Sequence, residues 1–294
     1  MTRLGHLSTE GARPERAEID RLPTAELVRL MNEDDQAVAL AIADAQAQIA
    51  AAIDAIVPRL QRGGRLIYVG AGTAGRLGVL DASECGPTFN ADNVVGYIAG
   101  GPGAVSTATE SAEDDPNGAL ADLADLTQDD VVVGISASGR TPYVLGAVEH
   151  ARQRQALTVG LSCNADAPLS QAADHAIEVL VGPEFVAGST RLKAGTAQKL
   201  VLNMLSTLTM VRLGKTYGNL MVDVRVTNEK LRDRATRIVE QVTGASRDEA
   251  ARALEAAQDD AKVAAVMLRA NVSADEARTR LDTTHGHLRK ALGE

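Results

Sequence analysis

Residues 65–89 read RLIYVGAGTAGRLGVLDASECGPTF. Leu66, Ile67, Tyr68 and Val69 form a continuous apolar, partly β-branched run, the pattern of a parallel strand covered on both faces. Gly70, Gly72 and Gly75 follow at once. Glycines here let the backbone turn sharply and approach a ligand, while the N–H groups opening the next helix point at any anion in the loop. The spacing predicts a strand, a glycine loop, a helix, and then Asp81, Ser83 and Glu84 just past that helix. A phosphate seat and an ionisable side chain thus come from one short segment.

Working outward, four further β-rich runs lie near residues 93–101, 130–138, 157–164 and 175–182, with helical stretches such as Thr141 to Arg154 between them. Alternating β and α with buried apolar strands predicts a three-layer α/β/α sandwich on a five-stranded parallel sheet. In such sheets ligands bind beyond the carboxyl ends of the strands. Residues 1–50 read as an N-terminal arm and helices, 51–234 as the phosphate-binding domain, and 235–294 as a small helical bundle. Two S-x-x-E capping boxes, Ser246 with Glu249 and Ser273 with Glu276, mark that bundle. Residues 190–213 form a long helix with a wide apolar stripe, which serves either as a core or subunit-contact helix or, through its first turn, in ligand binding.

Composition narrows the function. The 294 residues are 45% hydrophobic but only 2% aromatic, so the core is built from Ala, Val, Leu and Ile. A net charge of −9 and a pI near 5.2 argue against nucleic acid or an anionic membrane as the main partner. Cys85 and Cys163 have no Cys or His at metal-ligand spacing, and His285 with His287 lack a further ligand, so no metal is expected. The first residues lack the apolar core of a signal peptide, and the longest apolar run falls short of the roughly 20 residues that span a bilayer. The expectation is a cytoplasmic protein.

The glycines at 70, 72 and 75 spell GxGxxG. A dinucleotide fold would need an acidic residue at the end of the second strand, where Ala99, Gly100 and Gly101 stand. A Walker loop would need Lys and Ser or Thr where Arg76 and Leu77 stand. Taken alone, the pattern fits a phosphate seat or simple helix-to-strand packing. A second loop favours phosphate: Gly134 to Pro142, GISASGRTP, ends the third strand with three hydroxyls, a glycine and a proline placed to open a helix. Ser138 or Thr141 could equally be only a helix cap. Neutral hydroxyls without a lysine cluster suit a phosphomonoester on a small molecule. Glu113, Asp114 and Asp115 make an acidic turn after a helical stretch expected from Ala104; Asp115 reads as an N-cap before Pro116. For Glu113 the residues alone allow a solvated surface turn or a catalytic role.

GAGTAGRLGVLDASECGPTF, GISASGRTPYV and STRLKAGTAQKLVLNMLSTLTM, with TEG and AEID near the start and NLMVDV later, resemble the N-acetylmuramic acid 6-phosphate etherase family of the sugar isomerase (SIS) superfamily. The resemblance implies a cytosolic homodimer that needs no metal or cofactor and cleaves the lactyl ether of the phosphosugar. It implies Glu84, in DASEC, as the acid and Glu113, in AED, as the base. The implied substrate-binding set is Gly72, Thr73, Ser136, Ser138, Gly139 and Thr141, with the phosphate on the four hydroxyls. Three positions depart from the family pattern: Gly86 replaces a proline, Ala74 a serine and Arg13 an asparagine. An aldose–ketose phosphosugar isomerase and a non-catalytic phosphosugar sensor are the alternatives on the same fold.

Overall fold

The computed structural model describes residues 7–107 and 109–294. Residues 1–6 of the expected arm lie outside the described residues. Two helices, α1 (Thr24–Asp44) and α2 (Gln46–Gln61), precede the sheet. The sheet then alternates with helices: β1 (Leu66–Gly70), α3 (Gly72–Phe89), β2 (Val94–Ile98), β3 (Val131–Ile135), α4 (Pro142–Gln153), β4 (Leu157–Ser162), α5 (Pro168–Ala172) and β5 (His175–Glu178). All pairings are parallel, in the order β2-β1-β3-β4-β5. β1, β3 and β4 are buried at every residue, whereas the edge strands β2 and β5 are only partly covered. Central strands of a parallel sheet have helices on both faces, which is why their sequences are continuous rather than alternating.

Side chains of β1 sort between two layers. Ile67 and Val69 join Val132 in a core with Tyr143, Val144, Ala147 and Val148 of α4. Tyr68 faces the opposite layer: a Cβ on Gly78 of α3 would meet Tyr68 Cβ at 2.9 Å, and the tyrosine hydroxyl donates to Asp81 Oδ2 at 2.9 Å. Asp81 also accepts from Asn203 Nδ2 at 2.6 Å and Ser206 Oγ at 3.2 Å, both on α6 (Lys193–Arg212). A buried carboxylate with three donors therefore ties α3, β1 and α6 together.

The β2–β3 crossover differs from expectation. Among the described residues no α-helix runs from Ala104; two 3₁₀ turns, Pro102–Val105 and Glu110–Asp114, are followed by irregular turns. Gly100 and Gly101 take positive φ (87° and 74°), and Pro116, Asn117 and Gly118 interrupt helical pairing further on. Asp115 is an Asx turn rather than a helix cap, accepting from Asn117 N at 2.9 Å. The segment still buries Ala119, Leu123 and Leu126 against α4.

The chain clusters into two units, residues 1–82 with 93–206 and residues 83–92 with 207–294. The second holds α7 (Glu229–Thr243), α8 (Arg247–Ala256), α9 (Ala261–Ala270), α10 (Ala274–Thr283) and α11 (Leu288–Ala291). Ile238, Val239, Leu254, Val263 and Val266 are among the buried residues of its core. Ser246 and Glu249 form a complete capping box on α8. Ser273 accepts from Glu276 N on α10, while Glu276 itself pairs with Arg280. The Lys262 ammonium is buried against Asp223 Oδ2 and Gly286 O, both at 2.8 Å. His287 is half-buried over Gly214, and burial lowers its pKa from the ordinary value.

Candidate active site

The order 2-1-3-4-5 reverses direction between β1 and β3, and ligands of open parallel sheets bind outside the strand ends at that switch point. A cavity of about 670 Å³ lies there. Its wall includes Gly72, Thr73 and Ala74 from the loop after β1, and Ser136, Ser138, Arg140 and Thr141 from the loop after β3. Gly72 enters α3 with a positive φ of 52°, and Gly75 sits so close that a Cβ would lie 2.6 Å from Gly70 O. The close approach brings the N-terminus of α3 onto the cavity, and Pro142 opens α4 beside it. Two helix N-termini on one hollow favour an anion.

The second loop is built around Ser136, which is buried. Its hydroxyl lies 2.8 Å from Thr141 Oγ1 and 3.3 Å from Ser138 Oγ, and it accepts from Gly139 N at 3.0 Å. Thr141 occupies the N-cap position of α4 without capping it through its side chain, so the capping explanation for that hydroxyl fails. Gly139 does not line the cavity. It takes φ 66°, a Cβ there would also come within 2.4 Å of Ala167 Cβ, and its N–H is spent on Ser136.

The long helix α6 does not offer its first turn. Lys193 N and Ala194 N both donate to the buried carboxylate of Glu184, at 2.9 Å each, so the helix end is already neutralised from within the protein. Lys193 Nζ donates to Val181 O at 2.7 Å, and burial lowers its pKa. Cys163, beside this cap, is pushed up to about 12 by burial and then by the Glu184 charge. What α6 gives the cavity is Gln198, one turn further on; Thr190 lines the wall just upstream of the helix.

The arm contributes as well. Leu7 and Glu10 line the cavity, held there by Asn164 at the end of β4. Asn164 Nδ2 donates to Thr9 Oγ1 and Ala137 O at 2.9 Å each, and its Oδ1 accepts from Ser8 Oγ at 2.9 Å. One buried amide thus fastens the arm to the hydroxyl loop. Arg13 lies outside the cavity lining: its guanidinium donates to Asp34 Oδ1 at 2.8 Å and Pro183 O at 2.7 Å.

The two glutamates fare differently. Glu113 and Asp114, in the second 3₁₀ turn, line the cavity. Glu84 lies inside α3, not beyond it, because the helix runs through Gly86 and Pro87 to Phe89. It is exposed and is not part of the cavity wall. Glu10, Arg140, Thr190 and Gln198 are wall residues that the sequence patterns did not single out.

A five-stranded parallel sheet flanked by helices, with a hydroxyl-lined hollow at its switch point, fits a SIS-type fold, and the SIS domain family model matches residues 106–208. The N-terminal SIS domain of glucokinase regulatory protein matches residues 48–152, and the C-terminal lid domain of that protein matches 218–262. A phosphoheptose isomerase from Francisella tularensis shares the fold with a TM-score of 0.51 at 20% identity, over 65% of this chain and 100% of that one. Much nearer in sequence are N-acetylmuramic acid 6-phosphate etherases. That of Streptomyces avermitilis is 63% identical over 97% of this chain and 93% of its own length; that of Rubrobacter xylanophilus is 62% identical over 99% and 98%. The chain belongs to the N-acetylmuramic acid 6-phosphate etherase family.

Proposed function

We propose that the protein cleaves the D-lactyl ether of N-acetylmuramic acid 6-phosphate by elimination and then hydration, releasing D-lactate and N-acetylglucosamine 6-phosphate. The observation that carries this is one cavity joining the hydroxyls of Thr73, Ser136, Ser138 and Thr141 to the Glu113 carboxylate. The hydroxyls and the two helix N-termini take the phosphate. With the phosphate seated, the sugar extends toward Glu113. In the open-chain aldehyde the proton at C2 is acidified by the carbonyl. Glu113 removes it, the electron pair forms the C2–C3 double bond, and the C3–oxygen bond breaks as Glu84 protonates the departing lactyl oxygen. Water then adds across the double bond, placing hydroxyl on C3 and hydrogen on C2.

Glu84 is exposed and off the cavity wall, with Leu80 one turn before it 51% exposed. We therefore assign it to the site of a second copy in a homodimer. The protein is proposed to work in the cytoplasm. Lactate release from the muramic substrate tests the function: an isomerase or a sensor releases none. Replacing Glu113 by Gln should lower the wild-type rate by about 10²–10⁴, the usual worth of a positioned acid or base.

A further inference from the structure

Gln198 is 1% exposed, lines the cavity, and its buried side-chain Nε2 donates to no described residue. Buried amides without partners are rare, because each unmet donor or acceptor costs about 1–3 kcal/mol. The helix around it is rigid and well anchored. Ala194, Ala197, Val201 and Leu202 beside it are fully buried, Glu184 holds the helix start, and Asp81 holds Asn203 and Ser206 downstream. With its nitrogen unspent, the amide has a donor to give to the cavity without disturbing that frame.

The phosphate seat is already furnished with hydroxyls, and a neutral amide adds no charge to it. The elimination, however, needs a donor elsewhere. As Glu113 takes the C2 proton, negative charge develops on the carbonyl oxygen at C1, before that pair moves into the C2–C3 double bond and the C3–oxygen pair leaves with the lactyl oxygen. A neutral donor carried on a rigid helix is effective against such developing charge because little has to reorganise during the reaction. We infer that Gln198 is the enolate-stabilising residue, donating through Nε2 to the C1 oxygen of the open-chain sugar. This rests on the etherase function proposed above.

The test compares wild type with Gln198→Met, which keeps the length and volume but has no donor, and Gln198→Leu, which is neutral, apolar and likewise without a donor. Three quantities are measured: lactate release, exchange of the C2 hydrogen of N-acetylglucosamine 6-phosphate in deuterium oxide, and inhibition by inorganic phosphate. Both variants should lose about 10²-fold in kcat and in C2 exchange together, the scale set by removing one oxyanion donor. Their phosphate inhibition constants should stay within about threefold of wild type. A kcat and exchange rate close to wild type in either variant overturns the inference. So does a loss of phosphate inhibition in step with kcat, since that marks a packing role. If the Met variant does not fold, the Leu variant alone decides. Failure of the wild type to release lactate would count against the proposed function instead.

Discussion

Asn164→Ala should release the arm from the phosphate loop. The substitution removes three hydrogen bonds of 2.9 Å, to Ser8, Thr9 and Ala137, at a residue only 3% exposed. Each bond contributes about 1 kcal/mol net, and the Thr9 hydroxyl, fully buried, is left without its donor. Partial entry of water offsets some of this, so the expected loss is about 2–4 kcal/mol. It is local, because Ser8–Glu10 is a single 3₁₀ turn with little other hydrogen bonding. Amide exchange of Glu10 and Gly11, whose N–H groups donate to Leu7 O and Ser8 O, reads it directly. Their protection should fall by roughly 30- to 10³-fold, the Boltzmann factor of 2–4 kcal/mol. Since Leu7 and Glu10 form part of the cavity wall, KM for the phosphosugar should rise by roughly tenfold, equivalent to 1.4 kcal/mol. Unchanged arm protection, within about threefold, together with an unchanged KM would refute the clamp.

Co-expressed Glu84→Gln and Glu113→Gln chains should regain about a quarter of wild-type lactate release, because half of randomly paired dimers carry one intact site of two. Inactive mixtures would show that a single chain supplies both groups. In α4, a Cβ on Gly146 would lie 1.8 Å from Pro116 O, so Gly146→Ala must push the crossover carrying Glu113 off the helix. It should destabilise the protein by about 1–3 kcal/mol in urea unfolding and lower kcat; a neutral effect on both would contradict the close packing. The Cys163 thiol, raised to about 12 by burial, should resist iodoacetamide in the native protein at pH 8 and react once urea unfolds it.

Much of the framework could be read directly from residues. The strands at 66–70, 131–135 and 157–162 are buried throughout and carry continuous apolar runs, so each stood out against its flanking turns. The hydroxyl loop after β3 was legible for a related reason: at a strand's carboxyl end, Ser136, Ser138 and Thr141 follow one another too closely to need long-range information. The crossover is not, because the stretch from Ala104 looks helical although Gly100 and Gly101 before it and Pro116 after it leave only 3₁₀ turns. The sequence pattern ends α3 before Glu84 for the opposite reason, since Gly86 and Pro87 are poor helix residues that tertiary packing overrides here. The remaining wall residues come from segments far apart in the chain. Gln198 did leave a trace: it sits among Ala194, Val201, Leu202 and Leu205 at spacings of three, four and seven, a polar residue on an otherwise apolar stripe.

The etherase chemistry is tested most directly by turning over N-acetylmuramic acid 6-phosphate in ¹⁸O-labelled water and weighing both products. Elimination followed by hydration puts one heavy oxygen on C3 of the N-acetylglucosamine 6-phosphate and leaves the hydroxyl of the D-lactate unlabelled. Label in the lactate hydroxyl would mean displacement at the lactyl carbon, and the roles given to Glu113, Glu84 and Gln198 would fall with it.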